Sequence, residues 1–146
     1  MTAWWPISSI LASLGVPGYS QQTSYNYISL DLWTFTYGAS SVSSVWSDPI
    51  TYLGTGSGLG STKSQIQASL ISRYHTAGIK VLVSAFGSIE QPCTRGFNAS
   101  AVAKKLAIFV RDNNLDGVDV EYNDDYSIST GASKVWLKAF MIELRN

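Results

Sequence analysis

Histidine and cysteine are almost missing from this sequence: His75 and Cys93 are each the sole residue of their kind. One cysteine excludes an internal disulfide, and one histidine with one cysteine cannot supply the ligand set of a usual zinc site, so no metal or cofactor is expected. His75 falls late in a helix-like segment, which suits a surface or helix-end role. Charge is also scarce. Ten acidic and ten basic residues make up 14% of the chain and cancel, and no Lys/Arg cluster runs along any segment, so nothing favours a nucleic-acid partner. No apolar run reaches the about 18 residues of a membrane span, which argues against a membrane partner. The N-terminus lacks a basic segment followed by an apolar core and a small-residue cleavage site, so no export signal is expected. What the chain does have is apolar content, 45% over 146 residues, enough to bury a core and too much for intrinsic disorder. Residues 1–146 are expected to form one unit.

Periodicity divides that unit. Ile7, Ile10, Leu11 and Leu14 have helical spacing and stop at Gly15, predicting a short helix from Pro6 to Leu14. Tyr25 to Tyr37, rich in aromatic and β-branched residues and closed by Gly38, predicts a strand. Ser40 to Thr62 is dominated by Ser, Gly and Thr and reads as a long loop with a helical turn near Val45 and Trp46. Ile66, Leu70, Ile71 and Tyr74 mark an amphipathic helix closed by Gly78. Ile79 to Phe86 is a second strand, stopped by Gly87. Asn98 or Ser100 caps a helix with Val102, Leu106, Phe109 and Val110 as its apolar stripe, ended by Asn113-Asn114. Leu115 to Tyr122 is a third strand. Lys134 to Leu144 is a helix that turns Trp136, Leu137, Phe140, Met141 and Leu144 inward. Strict alternation of helices with apolar strands predicts an α/β fold with a parallel sheet, either doubly wound or part of a β/α barrel, and a ligand site at the C-terminal ends of the strands.

Two motif-like patterns dissolve on inspection. Gly54-Thr55-Gly56-Ser57-Gly58-Leu59-Gly60 precedes a helix as a phosphate cradle does, but its glycines recur every second residue, and Thr62 stands where a P-loop has glycine before Lys63-Ser64. A flexible connection is the simpler reading. Asp112-Asn113-Asn114-Leu115-Asp116-Gly117 matches the first half of a calcium loop, but Asp119 replaces an apolar residue, Asn123 replaces the bidentate Glu, and a strand follows. Asn98-Ala99-Ser100 is a formal glycosylation sequon, a triplet that also arises by chance.

The pattern that persists is Asp116-Gly117-Val118-Asp119-Val120-Glu121-Tyr122-Asn123. With a strand's period of two, Asp119, Glu121 and Asn123 share one face, and Val118, Val120 and Tyr122 the other. Acids on an inner face are costly unless paired, hydrogen-bonded or poised for chemistry, which makes this face the site candidate.

These eight residues resemble the D-G-x-D-x-D-x-E signature of family 18 glycoside hydrolases, the chitinases and endo-β-N-acetylglucosaminidases. Val83-Ser84-Ala85-Phe86-Gly87, at the end of the preceding strand, is similar to that family's S-x-G-G element in a variant with an aromatic before the last glycine. The runs Lys80 to Gly87 and Trp136 to Phe140 are most like fungal members, and the resemblance holds from about Tyr25 onward. It implies a β/α barrel, whose usual length is about 250 residues. On that reading the three strands are the second to fourth of the barrel and residues 1–146 form an incomplete, half-barrel domain. Its open sheet edges would then need a second half-barrel chain, a self-associated copy or a cover.

The resemblance also implies chemistry. Family members cleave β-1,4 bonds between N-acetylglucosamine units with the substrate's own acetamide oxygen as nucleophile. The last Glu of the signature protonates the leaving oxygen, and the acid before it orients the acetamide. Carried over, Asp116 and Asp119 are supporting acids, Glu121 orients the acetamide, and Asn123 stands in the proton donor's place. Ser84, Phe86 and Gly87 are the implied substrate contacts, with an N-acetylglucosamine oligosaccharide or chitin as partner and secretion as the family's habit; Trp33 and Tyr37, near the end of the first strand, are added as substrate contacts by their position. Glu121 adds a methylene to the family's Asp. Asn123 has no proton to give, and general acid catalysis contributes about 10²–10⁴-fold, so weak or absent turnover is expected. Glu121, Asp124 and Asp125 are the reserve donors, the last two only if the chain turns at Asn123. Sugar binding survives such a loss, which leaves a lectin-like protein as one alternative and a purely structural half-barrel that functions only with a partner chain as the other. Of five tryptophans, Trp33 is expected nearest the cleft, Trp136 in the core, and Trp4, Trp5 and Trp46 mainly in packing.

Overall fold

A computed structural model describes residues 26–39 and 62–146. The helix expected at Pro6 to Leu14, most of the Ser40 to Thr62 loop, its glycine repeat, Trp4, Trp5 and Trp46 lie outside these residues. Three strands, β1 (Tyr27–Trp33), β2 (Lys80–Gly87) and β3 (Gly117–Tyr122), form one parallel sheet in the order β1-β2-β3. Helix α1 (Lys63–Thr76) lies between β1 and β2, and α2 (Ala99–Asp112) between β2 and β3. A short α3 (Asp125–Thr130) and then α4 (Ala132–Leu144) follow β3. The chain is therefore α/β with a parallel sheet, and no helix among the described residues is long and apolar enough to cross a membrane.

Local chemistry sets the boundaries. Thr62 and Gln65 form a reciprocal capping box at the start of α1, the Thr62 hydroxyl accepting from the Gln65 amide and the Gln65 side chain accepting from the Thr62 amide. The carboxamide oxygen of Asn98 caps α2 by accepting from Ala101 N. After α1 the chain reverses through Gly78 at φ +75°, a conformation costly to any residue with a Cβ. The helix after β3 arrives sooner than its apolar spacing suggests: α3 occupies Asp125–Thr130, and Gly131 at φ +78° separates it from α4.

One face of the sheet packs on α2 and α4. Val83, Ala85 and Phe86 of β2 meet Val102, Ala103 and Leu106 of α2 and Trp136 and Phe140 of α4, with Val118, Val120 and Tyr122 of β3 closing the cluster. Each fully buried side chain of this size contributes about 1.5–3 kcal/mol over exposure. Phe109, Val110, Leu137, Met141 and Leu144 flank the cluster and are only partly covered. Trp136 is core, as its spacing predicts, and its indole N–H donates to Phe97 O at 2.7 Å. On β1 the register with β2 shifts between Leu30 and Trp33, so the strand carries one extra residue there.

Candidate functional site

The site is assembled by register. Ser84 of β2 lies opposite Asp119 of β3, Phe86 opposite Glu121, and Gly87 opposite Tyr122. Because Val118, Val120 and Tyr122 go to the helices, Asp119 and Glu121 take the other face of the sheet. Asn123 follows the strand's last residue, is exposed, and donates from Nδ2 to Glu121 Oε1 at 3.1 Å. Gly87 belongs to the same surface. A Cβ there would sit 3.1 and 3.2 Å from the Leu32 methyls and 3.5 Å from Glu121 Oε2, at a φ of +57° that already favours glycine. Ser84 is fully buried beside Asp119, and its hydroxyl finds no hydrogen-bond partner among the described residues; Ser29 Oγ on β1 is in the same state.

Three expected site residues lie elsewhere. Phe86 is 0% exposed. Alternation would set it beside Glu121, but its φ of +74° breaks the alternation, and its ring packs edge-on to Trp136 at 5.9 Å and to Phe140 at 5.5 Å. It cannot offer a face to substrate. Trp33 is 1% exposed and meets Phe86 edge-on at 6.3 Å, so it too is core. Asp116 stands before β3 begins, five residues and about 16 Å of strand from Glu121. There Asp116 Oδ2 accepts from Val81 N at 2.7 Å and meets His75 Nε2 at 2.7 Å. Burial raises its carboxyl, but the Val81 amide, His75 and Lys80 outweigh that and hold it below its usual value. Asp116 ties the start of β3 to β2 and to the end of α1. Of the expected aromatics only Tyr37 is solvent-exposed, at 67%, on the Thr34–Gly38 turn after β1.

The reserve donors also resolve. The chain does turn at Asn123, but Asp124 turns inward, fully buried as the N-cap of α3. It accepts from Thr94 N at 2.8 Å, from the Thr94 hydroxyl, and from Ser127 N at 3.3 Å. Burial raises this carboxyl, and the Thr94 and Ser127 donors more than offset it, leaving it below its usual value. Asp124 is thus ionised at neutral pH and cannot serve as a proton donor. Asp125 is exposed in the first turn of α3. Tyr122 Oη lies 2.8 Å from Ser127 Oγ, and burial pushes its phenol up to about 12.

A second buried carboxylate escapes sequence reasoning altogether. Glu90, in the loop after β2, is 1% exposed and accepts from Phe35 N at 2.6 Å, Thr36 N at 3.1 Å and Thr36 Oγ1 at 2.7 Å. Lys105 adds a bond to Phe35 O at 2.7 Å. Glu90 therefore fastens the loop after β1 to the loop after β2, and Asp124 fastens the segment after β3 to Thr94 of the loop after β2. The three loops at the C-terminal end of the sheet are joined in series by two saturated carboxylates, which gives the site a rigid rim. The Asp124-Asp125-Tyr126-Ser127 sequence carries an N-cap signal that reveals half of this. Nothing local betrays Glu90, whose partners lie 54 and 55 residues away.

Other patterns are absorbed by the fold. In the half calcium loop, Asp112 pairs with Arg111, and Asn113 Nδ2 donates to Phe109 O. Among the described residues no group of three His, Cys, Asp or Glu side chains converges as a metal site. No family model matches the chain, and neither a curated protein nor a solved structure matches it.

Proposed function

We propose that this chain forms the front part of a β/α barrel similar to family 18 glycoside hydrolases, and that it engages β-1,4-linked N-acetylglucosamine glycans at the C-terminal ends of β2 and β3. Hydrolysis is weak or lost. The reading is supported by three parallel strands alternating with helices, by Ser84 and Gly87 ending the strand next to the acidic one, and by Asp119 and Glu121 on its open face. Asn123 carries the functional half of the reading. In the proton donor's place it offers an amide, and that amide already donates to Glu121 Oε1. Glu121 is thereby held as an acceptor for a substrate N–H or O–H, and the general-acid contribution of about 10²–10⁴-fold is forfeited.

The same bond favours a second reading, a lectin-like protein that holds the glycan without cleaving it. Chromogenic N-acetylglucosamine oligomers separate the two: turnover abolished by Glu121→Ala sinks the lectin, and saturable binding without turnover sinks the hydrolase. The double variant Glu121→Asp with Asn123→Glu is expected to gain turnover. Its failure to do so, in a protein that still binds the oligomer, would show that the signature is misaligned. Among the described residues β1 and β3 each pair only with β2, so a second chain, either a half-barrel partner or another copy, has two edges to meet. Mass in solution tests this directly.

A further inference from the structure

Asn98-Ala99-Ser100 is the sole Asn-x-Ser/Thr triplet in the sequence; Asn26, Asn113, Asn114 and Asn123 have no Ser or Thr two places on. A triplet alone decides nothing, because a modified asparagine must also be one whose amide nitrogen the fold can spare. Asn98 is exposed, in extended backbone at φ −69° and ψ 119°, immediately before the buried first residue of α2, Ala99. The two ends of its carboxamide have separate duties. Oδ1 accepts from Ala101 N at 2.9 Å and caps the helix, whereas Nδ2 makes no hydrogen bond among the described residues. Elsewhere the nitrogen is in use: Asn113 Nδ2 donates to Phe109 O and Asn123 Nδ2 to Glu121 Oε1. The chain leading to Asn98 is also fixed, since Arg95 N donates to Gln91 O at 3.0 Å, Gly96 N to Cys93 O at 2.9 Å and Phe97 N to Pro92 O at 2.9 Å.

We propose that Asn98 is a site of N-linked glycosylation, modified from a polyprenyl-diphosphate-linked oligosaccharide. In that transfer Nδ2 attacks C1 of the donor's first sugar. The N–C1 bond forms, the bond from C1 to the diphosphate oxygen breaks, Nδ2 gives up one of its two protons, and the polyprenyl diphosphate leaves. Once α2 forms, Ser100 belongs to the helix, so transfer takes place on the nascent chain and the fold must then accept the product. It does so because the linkage replaces a proton on Nδ2 and leaves Oδ1 an acceptor, which preserves the cap. The attached sugar then leaves the protein from a fixed, exposed point on the segment between β2 and α2. Neither Asp119 nor Glu121 takes part.

The test is translation of the full chain behind a cleavable export signal with eukaryotic microsomes, read by gel mobility and peptide mass before and after peptide N-glycosidase. One glycosidase-sensitive shift is expected, mapped to Asn98, and both Asn98→Asp and Ser100→Ala lose it. Neither variant removes the cap, since aspartate caps as asparagine does and Ser100→Ala leaves Asn98 in place. A parent chain that stays unshifted, while a sequon appended after Asn146 in the same chain is modified, overturns the site. A shift that survives in Asn98→Asp overturns it as well. Thermal melts supply the second arm: the modified chain is expected to melt with the unmodified parent and Asn98→Asp, and Asn98→Ala below all three. A modified chain that melts with Asn98→Ala has lost its cap, and the division of duties between Oδ1 and Nδ2 on which the site rests is overturned.

Discussion

Asp116, just before β3 begins, and Glu121, near its end, are acids on one short stretch of chain, yet their surroundings have little in common. Asp116 is consumed by the fold: an amide of β2 and a histidine of α1 converge on one of its oxygens. Glu121 meets a single amide from Asn123, two residues away, and among the described residues no hydrogen bond reaches Asp119. The contrast recurs at the C-terminal end alone, where Glu90 and Asp124 are saturated by backbone and threonine hydroxyl donors while Asp119 and Glu121 stay open. An acid's role in this protein is therefore told by its donors, and neither burial nor position along the strand suffices. Saturated acids hold loops together. Open acids are the ones that the proposed glycan reading assigns to a ligand.

The largest test of that division concerns Phe86, which shares the site's register and yet belongs to the core. Phe86→Ala is expected to cost about 3–5 kcal/mol by chemical denaturation, because its ring is surrounded by Trp33, Tyr122, Trp136 and Phe140. A near-neutral effect on stability would return Phe86 to the site. Next in size is a matched pair of acids. Asp124→Ala strands Thr94 N, the Thr94 hydroxyl and Ser127 N, and is expected to cost about 3 kcal/mol. Asp119→Ala is expected to cost less than about 1 kcal/mol and to act on glycan binding instead. Equal destabilisation by the two would erase the distinction between open and saturated acids.

Stability should also vary with pH at both extremes, for opposite reasons. Asp116 and Asp124 have folded pKa values below the unfolded carboxylate value of about 3.9, so their contribution is complete above that value and disappears as pH falls through the folded ones. Tyr122 is raised by burial to about 12, so its contribution is complete below about 10 and is lost as pH rises toward 12. Denaturation midpoints measured from pH 2.5 to 11.5 are expected to fall at both ends. Burial pushes the Tyr74 phenol up further still, so Tyr122→Phe should lessen the alkaline fall, with Tyr74 carrying the rest, and leave the acid one. An alkaline fall unchanged in Tyr122→Phe would mean that another group carries it.

The strands were legible because apolar runs between glycines mark them, and β2 and β3 lie within two residues of where pattern alone puts them. The open face of β3 was legible for the same reason, since Val118, Val120 and Tyr122 needed a core. Phe86 and Trp33 were misplaced because a side chain's destination depends on backbone φ and on a register shift, and neither is encoded in residue type at one position. Helix α3 was missed because its only strongly apolar face residues, Tyr126 and Ile128, stay exposed, so no buried stripe announces it. Glu90 was silent because its three donors come from chain more than fifty residues distant, a relation that only the folded sheet creates.

The smallest expected effect tests the far end of β3. His75 reaches Asp116 across the end of α1, with both side chains partly exposed at 31% and 28%. Solvent screens such a contact, so His75→Ala is expected to lower stability by only about 0.5 kcal/mol. Asp116→Asn should cost more, because its second role, accepting from Val81 N, joins the start of β3 to β2 and weakens when the carboxylate becomes an amide. If Asp116 is purely structural, both variants leave oligosaccharide affinity unchanged while moving the urea midpoint in that order. A loss of affinity in Asp116→Asn without a shift in the midpoint would place Asp116 back with the open acids, and would mean that the two ends of β3 are coupled through the strand.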